Sequence, residues 1–307
     1  MGFFEQVLYI LKDGIELGLI WALLALGVFI SFRILDFADL TAEGTITLGS
    51  SIMAVLLIKT DSILLGMLIA FSGGFISGII TGVLHTKFKI PPILSGIIMM
   101  TALYSLNRRI LGKASVYLAE NKTIYTFLRT IIDSPFFAKA LTSFSLLLII
   151  VIMIYLLFGT EIGISIRATG MNQKMAKVQG INTDLMIIFG LALSNALIAL
   201  CGALVAQSNR SANLEVGRGT IVIGLASIII GEILFGKRTF KNCLISVVLG
   251  SIVFQLLIGI AITIGLNPND LKLIQAVLIA FILAAPEVKK WRKKNGGKQN
   301  VKVEQYI

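Results

Sequence analysis

The sequence predicts an all-α integral membrane protein, a polytopic bundle of about nine transmembrane helices with its N-terminus outside and its C-terminus inside. Three observations carry that reading. Of the 307 residues, 56% are hydrophobic and only 14% are charged, and mean hydropathy is +0.92. A soluble domain has about 25% charged and roughly 45–50% apolar residues. No soluble fold of this size has the interior to hide the surplus. Soluble enzymes, nucleic-acid-binding modules, secreted disulfide scaffolds and disordered chains are excluded together. Apolar runs long enough to cross the hydrocarbon recur along the chain, and Lys and Arg favour alternate connections between them.

In order, those runs fall near 14–31, 40–58, 63–85, 92–110, 140–159, 184–206, 219–235, 242–266 and 270–285. Ahead of them, residues 1–13 place Phe3, Phe4, Val7, Leu8 and Leu11 on one helical face, with Glu5, Gln6 and Lys12 elsewhere. That spacing predicts an interfacial amphipathic helix. It lacks the basic start and cleavage site of a secretory signal. Residues 14–286 make the transmembrane domain, with a cytoplasmic segment at 160–183, and residues 287–307 form a basic cytoplasmic tail. With that tail inside, 16 of the 27 Lys and Arg fall on the inner side. The formal charge of +11 is then topology plus attraction to anionic membrane lipid, and no nucleic acid is needed to explain it.

Several spans carry features beyond hydrophobicity. Gly74, Gly78 and Gly82 recur every four residues and predict a face where a neighbouring helix comes close. Asp36, Asp39, Thr41, Glu43, Thr45 and Thr47 crowd the start of the second span, with Gly44 and Gly49 nearby. Charge in hydrocarbon is costly, so these residues face protein, water or the interface, and an irregular or re-entrant opening is expected. Asn195, Gln207, Gln255 and Gln275 interrupt apolar helices, either to bond a neighbouring helix or to line a path. Glu232 lies about one turn from Lys237 and Arg238 and reads as a helix-end ion pair, and His85 simply ends a span. Gly231–Arg238 nearly matches a phosphate-binding loop, but Arg238 stands where the hydroxyl residue belongs and the segment closes an apolar helix instead of opening one. Cys201 and Cys243 form no metal or redox spacing.

The segment Glu161–Thr183 carries the most information. Gly170 and Gly180 punctuate it, and between them Met171, Met175, Ala176 and Val178 alternate with Asn172, Gln173, Lys174 and Lys177. A short helix with one adaptable apolar face suits either a groove on a partner or the lipid headgroups. The segment resembles the coupling-loop signature of ABC importer permeases of the branched-chain amino-acid and ribose permease family, at Gly163, Arg167, Ala168, Gly170, Asn172, Ala176, Gly180 and Ile181. The stretches Arg33–Gly49, Ile90–Arg109 and Gly224–Glu232 are similar to the branch that pairs with binding proteins for aromatic amino acids, chiefly tryptophan and tyrosine.

The resemblance implies a bacterial cytoplasmic-membrane permease that binds no cofactor itself. ATP and magnesium would sit on a separate ABC ATPase subunit. An extracytoplasmic substrate-binding protein would deliver the solute, and a second permease copy would complete a homodimer. Arg167, Ala168, Gly170, Asn172, Met175, Ala176 and Gly180 are the expected ATPase-coupling residues, so that Ala176→Glu would uncouple transport in a folded protein. Asp39, Thr41, Glu43, Met99, Tyr104, Asn107 and Asn195 are the candidates for the translocation path. The alternative is an ion-gradient-driven secondary transporter with Glu43 as its acidic group, although no second half of the sequence repeats it.

Overall fold

The computed structural model describes residues 3–118, 121–129 and 134–263, with 273, 275–277 and 280 beyond them. Helix α1 (Phe3–Val28) widens into a π-helical stretch (Phe29–Ile34). It is followed by α2 (Thr41–Thr60), α3 (Ile63–Thr86), α4 (Pro92–Leu111), strand β1 (Ser115–Tyr117) and α5 (Ile124–Arg129). Then come α6 (Pro135–Gly159), α7 (Glu161–Met171), α8 (Gln173–Val178), α9 (Thr183–Ser208), strand β2 (Ser211–Asn213), α10 (Thr220–Phe235) and α11 (Phe240–Thr263). Among the described residues, six helices are long and apolar enough to cross a membrane: α1 with its π-helical end, α2, α3, α6, α9 and α11. The chain is therefore a multi-pass membrane protein.

Three of the nine expected spans are not among these six. Helix α4 has 20 residues, but Thr101, Tyr104, Asn107, Arg108 and Arg109 dilute its hydropathy. Helix α10 is apolar but has only 16 residues, about 24 Å of helix, short of the ~30 Å hydrocarbon core. The ninth expected span, 270–285, lies for the most part outside the described residues, as does the tail 287–307. Residues 3–13, expected as a separate surface helix, run without a break into the first span.

The bundle has two distinguishable ends. At one, β1 and β2 pair antiparallel with Val116 opposite Ala212. There Lys139 at the start of α6 bridges Glu16 of α1 at 2.9 Å, and the Gln207 side chain at the end of α9 accepts from the Ile124 N–H. At the other, Arg33 pairs with Glu232 at 2.8 Å and Lys237 with the same carboxylate at 3.6 Å. The expected Glu232–Lys237 pair thus gains a third member from the π-helical stretch. His85 Nδ1 donates to the Ile90 carbonyl at 2.8 Å, and the ring stands edge-on to Phe37. Helix α1 runs from the ribbon end to the α8 end.

Helix α9 is the pillar. From Gly190 to Gln207 every residue except Leu193 is buried. The Gly74, Gly78 and Gly82 stripe of α3 lies against it, so that a Cβ at Gly74 would meet Ala199 at 2.5 Å and one at Gly82 would meet the Ile188 backbone at 2.8 Å. A Cβ at Gly78 would strike the Leu191 carbonyl. On a second side, Gly49 of α2 lies against the Ala199 carbonyl, and Gly202 of α9 against that of Ile46. On a third, Ser194 Oγ donates to the Gly27 carbonyl at 2.7 Å and Cys201 Sγ to that of Ile20 at 3.3 Å. Because lipid tails are as apolar as leucine, close dispersion contact and interhelical hydrogen bonds hold such helices together.

A methyl group at Gly78 should therefore lower stability by about 1–3 kcal/mol, the usual overpacking cost. Gly159→Ala meets nothing within 4 Å and should leave the protein unchanged or slightly more stable. Thermal unfolding midpoints in detergent check the pair, and equal midpoints would contradict the packing.

Candidate functional site

The first functional feature is the break before α2. Residues 35–40 leave the helix at the α8 end and turn back into the bundle, with Asp36 in the left-handed region at φ 54°. A non-helical backbone survives there only if its polar groups are satisfied by protein. The Phe37 N–H donates to the Ser31 carbonyl at 2.9 Å, and the Thr41 N–H donates to Asp39 Oδ1 at 2.9 Å. Asp39 Oδ2 accepts from Asn195 Nδ2 at 2.6 Å, while Asn195 Oδ1 accepts from Thr45 Oγ1 at 2.7 Å. Thr41 meets Thr81, and Thr45 meets Ser77, through their hydroxyls at 2.9 and 3.2 Å. Asn195 lies twelve residues into the 26-residue α9, so α2 starts part-way across the bundle. Asp39, Thr41 and Asn195 are all buried and do not line the cavity described next. They fasten the helix break.

A cavity of about 470 Å³ opens beside that break. Helix α2 contributes Glu43, Gly44 and Thr47, α4 contributes Met100, Thr101, Tyr104 and Asn107, and the connection into α10 contributes Leu214, Gly217 and Arg218. Three of the path candidates, Glu43, Tyr104 and Asn107, therefore meet here. Met99 does not, because it packs with Leu48 and Leu103. Glu43 accepts a hydrogen bond from the Gly219 N–H at 2.9 Å, and Gly219, at φ 79°, is the N-cap of α10. A carboxyl group from the first turn of α2 thus caps the first turn of α10, where an acid is favoured by the helix dipole. Asn107 Nδ2 donates to the Gly44 carbonyl at 3.0 Å and ties α4 to the same turn. Sequence reading missed Leu214, Gly217 and Arg218. It found no partner segment for Glu43, whereas α10 is a second helix that begins inside the bundle.

The second feature is the helix pair α7–α8 at the opposite end from the ribbon. Asn172 caps α8 by accepting from the Met175 N–H at 3.1 Å. Gly180, at φ 83°, closes it: the Gly180 N–H reaches the Lys177 carbonyl at 3.0 Å and the Ile181 N–H that of Ala176 at 3.1 Å. That paired closure requires a left-handed residue, which glycine adopts without strain. A Cβ at Gly170 would strike the Ile34 carbonyl, so the glycine lets α7 lie on the end of the first span. The Arg167 guanidinium lies 5.2 Å from the centroid of the Phe240 ring, which itself packs on Phe29 and Phe158.

The seven expected coupling residues therefore divide. Ala176 is 2% exposed, so its side chain is turned inward and a substitution there tests packing; the expectation that Ala176→Glu would leave the fold intact is corrected. Gly170, Gly180 and Asn172 shape the pair, Ala168 is half-buried, and Arg167 anchors it. Met175 is open at 57%, flanked by Met171 at 86% and Val178 at 82%.

The network around Asp39 yields a stability prediction. Asn195→Leu removes the donor to Asp39 Oδ2 and should cost about 1–3 kcal/mol, more if the carboxyl is charged. Adding Asp39→Asn should restore part of the loss. Detergent melting of the single and double variants checks this, and additive losses would contradict it.

Comparison with known proteins assigns the family. Residues 10–285 match the family described as branched-chain amino acid transport system, permease component. A tyrosine transport system permease protein of Clostridioides difficile (strain R20291) is 38% identical over 287 residues, covering 94% of this chain and 95% of the relative. The galactose/methyl galactoside import permease of Escherichia coli K12 is 26% identical over 270 residues, covering 83% and 80%. A fructose import permease of Bifidobacterium longum is 23% identical over 259 residues, covering 81% and 70%. No solved structure matches. With an interrupted-helix cavity and an anchored helix pair set on a membrane bundle, the chain belongs to the branched-chain amino-acid transport-system permease family.

Proposed function

We propose that this chain is the membrane permease of an ATP-driven importer for an amino acid, with an aromatic one favoured. The observation that carries the reading is the α7–α8 pair. Capped at Asn172 and Gly180 and seated through Gly170 and Arg167, it presents Met171, Met175 and Val178 outward at one end of the bundle. An apolar, adaptable ridge on a fixed base is what a groove on an ATPase subunit grips. The α8 end is then cytoplasmic, which sets the N-terminus of α1 outside, and the membrane is the bacterial cytoplasmic one. ATP and magnesium belong to the ATPase. The amino-acid class draws on the likeness to the tyrosine permease, although the sugar permeases share the family.

In this scheme an extracytoplasmic binding protein delivers the solute at the ribbon end. A second permease copy covers the open face of α4, where Ile93, Ile97, Ile98 and Tyr104 are exposed. The solute passes the Glu43–Asn107 cavity, and closure of the ATPases moves α7–α8 and alternates access. An ion-gradient carrier is the second reading, favoured by one observation: two helices, α2 and α10, begin inside the bundle at a carboxyl group.

Met175→Glu should reduce ATP-dependent uptake by about tenfold or more and release the ATPase during purification, with normal membrane levels and melting temperature. Ala176→Glu should instead lower membrane levels, because it forces a carboxylate into a packed position. Uptake assays and stoichiometry by mass spectrometry check both. Wild-type uptake by Met175→Glu would overturn the docking role, and uptake that persists with ATP depleted and an ion gradient intact would favour the carrier.

A further inference from the structure

We propose that the cavity between α2, α4 and the start of α10 is itself a binding site for a free α-amino acid, recognised as a zwitterion. The α-ammonium is held by the Glu43 carboxyl group and Asn107 Oδ1, the α-carboxylate by Arg218, and the side chain lies against Met100, Tyr104 and Leu214. This rests on the amino-acid reading above and deepens it: the permease, and not only a binding protein, selects the solute.

The observation that points to a ligand is Asn107. It is 1% exposed and lines the cavity. Its Nδ2 is used on the Gly44 carbonyl at 3.0 Å, while its Oδ1 has no hydrogen-bond partner among the described residues. A buried acceptor without a donor is costly, and a binding site is a common reason to keep one. What it lacks is a donor, and an ammonium is the strongest small one.

The charges around it are arranged for the same group. Glu43 is the residue before Gly44 and is fixed by the Gly219 N–H. Arg218 is the residue before Gly219, so an acid and a base lie on one rim with Asn107 beside them. Arg218 bonds Glu215 at 2.7 Å, but that pair is exposed, 65% and 46% by side chain. Such a pair is worth little and exchanges readily for a ligand carboxylate, which guanidinium holds by two parallel bonds. Beside the hydroxyl residues Thr47 and Thr101, the wall has a thioether, a phenol ring and a leucine from Met100, Tyr104 and Leu214, suited to an apolar or aromatic side chain. About 470 Å³ falls in the usual size range of small-molecule sites. A simple anion would meet the Glu43 carboxyl group.

The test uses the permease co-purified with its ATPase in nanodiscs, without binding protein, and radiolabelled L-tyrosine as the probe. Unlabelled L-tyrosine should compete. Tyramine, which lacks the carboxylate, and 3-(4-hydroxyphenyl)propanoate, which lacks the ammonium, should each compete at least about tenfold more weakly. Arg218→Gln should abolish the preference for tyrosine over tyramine, and Asn107→Leu should abolish that over the propanoate. If Asn107→Leu fails to fold, the exposed Arg218 carries the test alone. Analogues that compete as well as tyrosine, or variants that discriminate like the wild type, would overturn the zwitterion site. So would absence of tyrosine binding here while tyrosine uptake with the binding protein persists, and that uptake would leave the importer reading standing. Competition by D-galactose with none by tyrosine would overturn the amino-acid reading itself.

Discussion

The approach of three helices to α9 at backbone distance is the constraint on which the rest of the molecule depends. In lipid, hydrophobicity does not drive helices together, so contact must come from close packing and from polar groups that have no better partner. Glycines supply the first: Gly74, Gly78 and Gly82 set α3 against α9, and Gly49 with Gly202 does the same for α2. With both helices held that close, Asn195 can reach Asp39 and Thr45 at once. That bond satisfies the one acid that the broken backbone carries deep into the bundle. The helix break is thus a consequence of the packing, since an extended segment there would otherwise leave polar groups in an apolar medium.

From the break, the functional geometry follows by short steps. Starting α2 at Thr41 puts Glu43 inside the bundle instead of at its surface. There it bonds the Gly219 N–H, which lets α10 also begin inside and leaves space where a continuous helix would have filled it. Asn107 closes the third side by gripping the Gly44 carbonyl. At the other end, the Leu35 side chain beyond the π-helical stretch meets Gly190 of α9, and Gly170 of α7 lies against Ile34 and Leu35. The chain that leads from α7 to the cavity is therefore six residues of backbone, Leu35 to Leu40. Spatial continuity of this kind is a route along which movement of α7 can reach the cavity; the free energy transmitted is a separate quantity.

Much of this was legible in the sequence, and the reasons differ by element. The glycine stripe was readable because a four-residue period survives without knowing the partner. The irregular opening of α2 was readable because acids and threonines cannot face lipid. The segment at 160–183 showed its closing residue in Gly180, whereas Gly170 stays inside α7 and the break falls at Asn172. Its inward side did not show, because a six-residue helix has too few positions to separate Ala176 from Met175 by pattern. The connection at 214–219 was missed for a different reason: Gly217, Arg218 and Gly219 look like an ordinary surface turn. One signal was available, since a 16-residue apolar run is short for a full crossing. Met99 and Met100 could not be told apart by type, and only the face of α4 that meets Leu48 separates them.

The central claim is that one polar cluster is dry and fastens the break, while the neighbouring one lines a wet cavity. Thiol accessibility tests it directly, in membranes, with Cys201 and Cys243 replaced by serine. Single cysteines at Thr45 and Thr81, within the Asp39–Asn195 network, should resist a charged, membrane-impermeant thiol reagent. Cysteines at Thr101 and Tyr104, on the cavity wall, should react. Rapid labelling at Thr45 and Thr81 with none at Thr101 and Tyr104 would contradict the account.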